Sequence, residues 1–399
     1  MIATDIRHLY WARGLRAFGD GFVSLSLPLY LLSLGLSPLQ VGIIATGTLL
    51  GSGVLTLAVG LNAYRFRYRT LLLAAAVLMT GTGFAFASVT EFWPLLVVAV
   101  LGTLNPSSGD VSVFLPLEQA VLARIATDRE RTAIFARYAL VGALSGALGA
   151  LFAGAPELLA SRLPIDTQGA LRGMFILYAL LGIASWFVYR RLPPRLASDG
   201  TAPAVPLHRS KKIVYTLAAL FSLDAFGGGF IVQSMLALWL YEHFQLSIAL
   251  TGAIFFWTGV LSAFSYLVAV RIAKRIGLVK TMVFTHLPAN LMLVLIPFVP
   301  NLTGVIALLL VRSALSQMDV PTRTSYVMAV VLPEERAAAA SITSVPRSLA
   351  SSVSPLLAGY LLGVSGFGWP LVIAGALKIV YDLLLLATFH KVRPPEEIK

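Results

Sequence analysis

Residues 40–62 read QVGIIATGTLLGSGVLTLAVGLN, a run that contains no charged residue. An α-helix needs about 20 mostly apolar residues to cross a bilayer, so this run is long enough to span one. Runs of similar length cover residues 70–89, 132–155, 281–299 and 368–389. The sequence therefore predicts a polytopic, all-α membrane protein.

The composition places the chain in the same class. Hydrophobic residues make up 58% of the sequence and charged residues only 12%, whereas about a quarter of the residues in a soluble domain are charged. The net charge of +12 does not indicate a nucleic-acid partner, because the basic residues lie in short segments between apolar runs, a distribution that is expected of loops on the cytoplasmic side of a membrane. The chain has no cysteine, which excludes disulfides and thiolate metal sites.

Twelve apolar runs are separated by turn and charge signals, and two of them, residues 93–123 and 304–332, are long enough to tilt or kink. The predicted spans are residues 9–35, 40–62, 70–89, 93–123, 132–155, 172–189, 213–241, 248–270, 281–299, 304–332, 338–363 and 368–389. Lysine and arginine are concentrated in alternate loops, which places both termini in the cytoplasm. We therefore expect a multi-pass protein of a bacterial-type plasma (inner) membrane.

The two halves of the chain carry related sequences. AFGDGF at residues 17–22 recurs as AFGGGF at residues 225–230, an offset of 208 residues. Three further pairs share an offset of 205 residues: Pro116 with Pro321, Glu130-Arg131 with Glu335-Arg336, and Ala153-Gly154 with Ala358-Gly359. A proline-rich segment that also contains Gly, Ser and Asp lies between the halves and reads as a linker. We predict an N-terminal six-helix half (residues 1–190), a cytoplasmic linker (191–211) and a C-terminal six-helix half (212–399). Paired six-helix halves of this kind are a transporter architecture.

Two loops resemble the signature loops of the major facilitator superfamily, which have the form Gly-x-Leu-Ala-Asp-Arg-x-Gly-Arg/Lys. VRIAKRIGLVK at residues 270–280 keeps Arg275 and Gly277 but has Lys274 in place of the Asp. GLNAYRFRYR at residues 60–69 keeps Gly60 and Arg65 but has Tyr64 at that position. The resemblance implies a cytoplasmic gate, whose candidate residues are Arg65, Glu130, Arg131, Arg275, Gly277, Glu335 and Arg336.

Glycines of the fifth span resemble the superfamily's antiporter motif, although they lack its proline. They are Gly142, Gly146, Gly149 and Gly154. The resemblance favours efflux slightly. The alternative is that these glycines only let two helices pack closely.

Ionisable side chains inside the predicted spans are candidates for function, because each costs about 2.5–3.5 kcal/mol in the bilayer centre unless it is solvated or paired. The acids are Asp20, Asp110, Glu118, Asp224, Asp319 and Asp382, and the bases are Arg16, Arg137, Arg312, Arg323, Arg347 and Lys378. Most of them lie on spans 1, 4, 7 and 10, which line the central cavity in the superfamily that the sequence resembles. We predict that Asp20, Asp110 or Asp224 carries a coupled proton.

Sequence spacing suggests partners for several of these charges. Arg16 could pair with Asp20, and Lys378 with Asp382, because residues four apart share a helix face. At the repeat offsets, Arg16 corresponds to Asp224 and Glu118 to Arg323, so opposite charges occupy equivalent positions and could link the halves. We expect Arg137, Arg323 and Glu118, which lie near cytoplasmic span ends, to extend toward the interface.

Two spans contain polar or flexible stretches that predict softened helix beside a cavity. They are NPSSGD at residues 105–110 and the three glycines 227–229, which lie next to Asp224. Candidate substrate-cavity residues are Arg16, Asn105, Ser107, Ser108, Gln233, Arg312, Gln317 and Asp319. A packing kink without a ligand is the alternative for either stretch.

These features favour a proton-coupled secondary transporter of a small solute that works by alternating access, with efflux slightly preferred. The alternatives are an uptake symporter or uniporter, or a non-transporting membrane receptor. The five histidines are scattered and form no HExxH pair, and no phosphate-binding loop is present, so we expect neither an enzyme nor a cofactor. The expected partners are a small-molecule substrate, protons and the lipid bilayer, and the expected oligomeric state is a monomer.

Overall fold

The computed structural model describes residues 2–62, 66–107, 112–125, 128–162, 164, 166–193, 209–332, 335–390 and 392. These residues fold into two compact units, and the chain passes between them three times. Unit 1 comprises residues 1–201 and 232–256, and unit 2 comprises residues 202–231 and 257–399. The predicted division into halves at residues 190 and 212 follows the sequence repeat and remains a prediction.

The described secondary structure consists of sixteen α-helices and a short 3-10 helix at Ile296–Phe298. The first eight helices belong to the N-terminal part of the chain. They are α1 (Ile2–Ser33), α2 (Pro38–Asn62), α3 (Tyr68–Ser88), α4 (Phe92–Leu101), α5 (Phe114–Ile125), α6 (Asp128–Phe152), α7 (Ala155–Arg162) and α8 (Thr167–Arg190).

The remaining eight helices follow residue 210. They are α9 (Lys211–Gly229), α10 (Gln233–Phe244), α11 (Ile248–Ile276), α12 (Leu278–Leu295), α13 (Leu302–Ser316), α14 (Asp319–Val330), α15 (Arg336–Val364) and α16 (Trp369–Phe389). Nine helices or helix pairs in the described part are long and apolar enough to cross a membrane. The other three predicted spans coincide with α1, with α4 and α5, and with α15.

Three predicted spans are interrupted rather than continuous. The fourth consists of α4 and α5, the seventh of α9 and α10, and the tenth of α13 and α14. The overlong runs at residues 93–123 and 304–332 are therefore pairs of helices. The helices α5 and α14 begin and end at an offset of 205 residues, so the fold reproduces the repeat seen in the sequence.

Unit 1 is built around α1, which packs against α6, α8 and α10. Glycines allow the closest of these approaches. A Cβ atom on Gly149 of α6 would collide with the carbonyl oxygen of Phe18, and one on Gly21 of α1 would collide with that of Gly146. The glycines of the predicted antiporter-like pattern therefore have a packing role, because only small residues let membrane helices approach this closely.

Unit 2 is organised around α9, which packs against α15 and α16, and around α12, which packs against α13, α14 and α16. Its apolar core joins these helices through buried side chains such as Phe221, Met282, Tyr326 and Tyr381. Many large apolar side chains on the outer helix faces are exposed. In a bilayer these faces contact lipid rather than water.

We expect Gly149→Ala to lower the melting temperature of the detergent-solubilised protein. The added methyl group collides with the backbone of α1, and such overpacking typically costs about 1–3 kcal/mol. Gly81→Ala is the matched control, because a Cβ atom on Gly81 of α3 meets nothing within 4 Å. Thermal unfolding followed by light scattering compares the two variants. Equal melting temperatures would contradict the packing role.

Candidate functional site

Unit 1 contains a buried ionic cluster between α1, α5, α6 and α8, which we call the Arg16 cluster and which consists of Arg16, Glu118, Tyr138 and Tyr189. The Arg16 guanidinium forms an ion pair with the Glu118 carboxylate, and its Nε donates to Tyr189 Oη over 2.9 Å. Glu118 also accepts hydrogen bonds from Tyr138 and, over 2.7 Å, from Tyr189. Arg16 is 2% exposed and Glu118 0%. The partners of each charge thus offset the free-energy cost of removing that charge from water.

Asp20 lies one helical turn from Arg16 and is also buried. No salt bridge joins Arg16 to Asp20 among the described residues, so the predicted local pair is replaced by a pair between helices. The Arg16 guanidinium also lies over the ring of Phe114, 4.2 Å from its centroid. Asp20 is therefore a buried carboxylate that lies outside the Arg16–Glu118 pair.

Unit 2 contains a second cluster, which we call the Asp224 cluster and which consists of Asp224, Arg323, Lys378 and Asp319. Lys378 Nζ lies 2.6 Å from Asp224 Oδ1, and Arg323 Nη1 lies 3.1 Å from Asp224 Oδ2. Arg323 also pairs with Asp319, one turn earlier on α14, at 3.3 Å. The cluster therefore ties α9 to α14 and α16 through one carboxylate.

A group of polar side chains continues from this cluster between α12 and α16. His286 Nδ1 lies 2.9 Å from Asp382 Oδ1, and the Asn290 amide donates to Asp382 Oδ2 over 2.9 Å. The other ring nitrogen of His286, Nε2, is 3.8 Å from Asp224 Oδ1. The predicted pair of Lys378 with Asp382 is therefore wrong, because each residue has found a partner on another helix.

The structure also corrects the positions expected for Glu118 and Arg323. Both are buried in ion pairs and do not extend to the membrane surface. Arg137, in contrast, is exposed. Apolar surroundings make an unpaired charge expensive, so helix packing, rather than distance from a span end, determined where Glu118 and Arg323 lie.

The two ion pairs occupy repeat-equivalent positions with their charges reversed. In unit 1 an arginine of the first span pairs with a glutamate of the fourth. In unit 2 an aspartate of the seventh span pairs with an arginine of the tenth. Arg16 and Asp224, which the sequence suggested as partners between the halves, each have partners inside their own unit.

The helix interruption between α4 and α5 contains three of the predicted cavity residues. Asn105 is buried and its side-chain oxygen accepts hydrogen bonds from Ser107, the shorter one 2.6 Å long. The carbonyl oxygen of Thr103 accepts from Tyr178 over 2.9 Å, which satisfies a backbone group that the break leaves free. Ser108 and Asp110 lie outside the described residues.

Four other predicted cavity residues, Gln233, Arg312, Gln317 and Asp319, lie at or near the remaining breaks, and Arg16 lies within α1. Gln233 is the first residue of α10, and Gln317 is in the turn between α13 and α14, where Tyr266 donates to it over 3.4 Å. Arg312 is half-buried on α13, and its Nε is a buried nitrogen without a hydrogen-bond partner in the described structure. Interrupted helices with polar ends are the typical setting of transporter substrate sites.

Among the gating candidates, Gly277 and Glu335 have defined structural roles. Gly277 joins α11 to α12 with φ of 88°, a conformation that favours glycine. The buried Glu335 carboxylate accepts from the backbone N–H groups of Arg209 and Ser210, at 3.0 and 3.1 Å, at the start of α9. Arg275 is exposed. Arg65 and the side chains of Glu130, Arg131 and Arg336 lie outside the described part of the chain.

Comparison with protein families identifies this architecture. Residues 9–311 and 217–399 both match the family described as Major Facilitator Superfamily. The chain belongs to the Major Facilitator Superfamily. This confirms the resemblance inferred from the loops, and it makes the protein a multi-pass membrane transporter.

Superfamily structures share the fold at low sequence identity. A mutant form of the nucleoside transporter NupG superimposes with a TM-score of 0.78 at 12% identity, covering 96% of this chain and all (100%) of that one. A bacterial homologue of the iron transporter ferroportin, in its inward-facing state, gives 0.75 at 14% identity, with 96% and 98% covered. An uncharacterized membrane protein of Saccharomyces cerevisiae is 25% identical over 97% of this chain and 94% of its own length.

Four buried polar residues in or beside the two clusters were not predicted from the sequence. They are Tyr138, Tyr189, His286 and Asn290. A tyrosine or histidine in an apolar helix is usually a core residue, so composition gave no signal for them. A test of repeat-equivalent positions could have found the ion pairs, because Arg16–Glu118 and Asp224–Arg323 are matched combinations.

We expect Arg16→Gln and Glu118→Gln each to destabilise the protein strongly, because removing one partner of a buried pair strands the other, at a cost of about 3–5 kcal/mol. The double variant should be less destabilised than the sum of the singles by well over about 0.5 kcal/mol. Thermal unfolding in detergent measures the cycle. Additive effects would mean that the two charges are stabilised independently.

We expect Glu335→Ala to loosen the start of α9. Loss of the buried carboxylate leaves the N–H groups of Arg209 and Ser210, just before α9, without their acceptor, and an unsatisfied buried donor typically costs about 1–3 kcal/mol. Hydrogen exchange at residues 209–214 should quicken in this variant. Glu242→Ala, at an exposed position of α10, is the control and should leave that exchange unchanged. If hydrogen exchange at residues 209–214 is unchanged in both variants, Glu335 does not stabilise the start of α9.

Proposed function

We propose that this protein is a proton-coupled secondary active transporter of a small solute that works by alternating access, with efflux as the favoured direction. The supporting observation is a pair of buried carboxylates, Asp20 and Asp224, on α1 and α9. These helices contain the repeated AFGDGF and AFGGGF segments. Buried acids near the middle of membrane spans are the usual carriers of coupled protons.

The two carboxylates are placed for different tasks. Asp224 is held by Lys378 and Arg323, so a proton can reach it only when one of these contacts opens. Asp20 lies outside the ion pair of its unit. At 1.5 Å per residue it is about 16 Å from the start of the first predicted span, near the bilayer midplane. Asp20 therefore serves best as a group that exchanges protons with the cavity.

The direction, the membrane and the oligomeric state are further parts of the proposal. Efflux is supported by the antiporter-like glycines of α6, and those glycines also pack α6 against α1. The alternation of basic and uncharged loops supports cytoplasmic termini in a bacterial-type plasma (inner) membrane. We propose a monomer, since the buried ion pairs of both units form within a single chain.

Reconstitution tests the proposal directly. Proteoliposomes with an imposed pH gradient are screened with labelled amino acids, sugars, nucleosides and carboxylic acids, and with ethidium as a toxic cation. We expect at least one solute to accumulate, and nigericin, which collapses the pH gradient, to abolish the accumulation. Solutes that equilibrate without accumulating would identify a uniporter. Flux equal to that of protein-free liposomes for the whole panel would favour a receptor.

We expect Asp20→Asn to abolish accumulation driven by the pH gradient while the protein still unfolds at the wild-type temperature. Asparagine keeps the shape of the side chain but cannot carry a proton. Glu242→Gln, at an exposed position, is the control and should retain accumulation. If Asp20→Asn accumulates the solute as the wild type does, Asp20 is not the proton carrier and another acid must be.

A further inference from the structure

His286 lies on α12 between carboxylates that belong to two other helices. Its Nδ1 is 2.9 Å from Asp382 Oδ1 of α16, and its Nε2 is 3.8 Å from Asp224 Oδ1 of α9. The imidazole is 4% exposed and Asp382 is 0% exposed. A side chain that can gain or lose a proton near neutral pH is therefore enclosed between two acids.

The two ring nitrogens are in different situations. The Nδ1–Asp382 distance is that of a hydrogen bond, and Asn290 holds the other oxygen of that carboxylate. The Nε2–Asp224 distance exceeds hydrogen-bond range. Nε2 therefore has an acid beside it but no bond to it, which is the arrangement of a nitrogen that can accept a proton and then bind.

The charged side chains around Asp224 carry one more negative than positive charge, which favours a third positive charge there. Three carboxylates, Asp224, Asp319 and Asp382, face two permanent cations, Arg323 and Lys378. A proton on His286 balances the group, whereas a divalent metal ion would be repelled by the two cations. The titratable groups next to His286 are Asp224 of α9 and Tyr381 and Asp382 of α16. Lys378 of α16 and Arg323 of α14 contact the same Asp224 carboxylate, and Asp319 of α14 pairs with Arg323. Arg312 of α13 forms no ion pair with them in the described residues.

We propose that His286 is a proton-binding site of this transporter, with Asp382 and Asn290 as its positioning residues. The site rests on the proposed proton coupling and deepens it. A proton from water adds to the lone pair of Nε2 and gives an imidazolium, and release reverses the step.

Protonation of His286 would change the contacts between helices, because Asp224 Oδ1 already forms an ion pair with Lys378. Lys378 Nζ contacts the same oxygen at 2.6 Å. An imidazolium at Nε2 competes with Lys378 for Asp224, so it weakens the contact between α9 and α16 and strengthens the one between α9 and α12. In the superfamily α9 belongs to a cavity-lining span. Protonation of His286 on α12 would therefore change the contacts of a helix that lines the cavity.

Nitrogen-15 NMR of histidine-labelled protein in nanodiscs tests proton binding without a substrate. His286→Gln assigns the His286 signal among the five histidines. We record that signal from about pH 5 to pH 8, the range in which an imidazole can change its charge, and we expect Asp382→Asn to change its response to pH. A His286 signal that stays constant over this range would overturn the proposal.

Transport then tests coupling, using the solute found to accumulate in the liposome panel. We expect His286→Gln to lose accumulation driven by the pH gradient but to keep solute exchange at equal pH, because exchange needs no net proton movement. His243→Gln, at an exposed position of α10, should keep both. A merely structural role would reduce both activities of His286→Gln together.

The two proposals fail in different ways. If wild-type protein accumulates the solute and His286→Gln does so equally, the proton site lies elsewhere and proton coupling stands. If wild-type protein equilibrates the solute without accumulating it, proton coupling itself is wrong. If His286→Gln does not fold, Asp382→Asn replaces it in the test. We expect Asp382→Asn to alter the pH dependence of accumulation, and an unaltered pH dependence would count against the site.

Discussion

An ionised side chain cannot remain alone in the apolar part of a bilayer, and this constraint determines the interior of both units. Each unit meets it with an ion pair between its first and fourth spans. Arg16 and Glu118 are further satisfied by two tyrosines. Because leaving either charge unpaired costs several kcal/mol, these pairs fix the positions of the helices that carry them.

The reversal of charge between the units indicates that the repeat conserves geometry rather than chemistry. In unit 1 the carboxylate is on the fourth span, and hydroxyl groups close its surroundings. In unit 2 the carboxylate is on the seventh span and is shared by Lys378, Arg323 and, at longer range, His286. A carboxylate with several competing partners can change partners, whereas the Arg16 cluster is locked by its hydrogen bonds. The two ion pairs therefore differ in their surroundings: hydroxyl groups enclose the pair in unit 1, and additional cations share the carboxylate in unit 2.

The sequence was sufficient for the fold, the repeat and the helix interruptions, because each depends on local signals such as long apolar runs, NPSSGD and the glycines at 227–229. It identified the buried charges but assigned several wrong partners. Residues four apart, such as Lys378 and Asp382, look like a local pair in the sequence. Their side chains instead reach neighbouring helices, and the rotation of a helix about its axis is not encoded in spacing alone. His286 was overlooked for the same reason, since both of its acids lie far away in the chain.

The interruption after α9 gives the Asp224 cluster its particular importance. The chain passes from unit 2 to unit 1 between Ile231 and Val232, directly after the glycines that end α9. Asp224 lies within two turns of this point, on the part of span 7 that belongs to unit 2. Glycines weaken a helix by about 1 kcal/mol each relative to alanine, so the segment beyond Asp224 is held by few local forces. The groups around Asp224 therefore affect where α9 is anchored, and α12 and α16 supply two of them, His286 and Lys378. The proton coupling that we propose therefore depends on α12 and α16 as well as on α9, because all three helices contribute charged or titratable groups around Asp224.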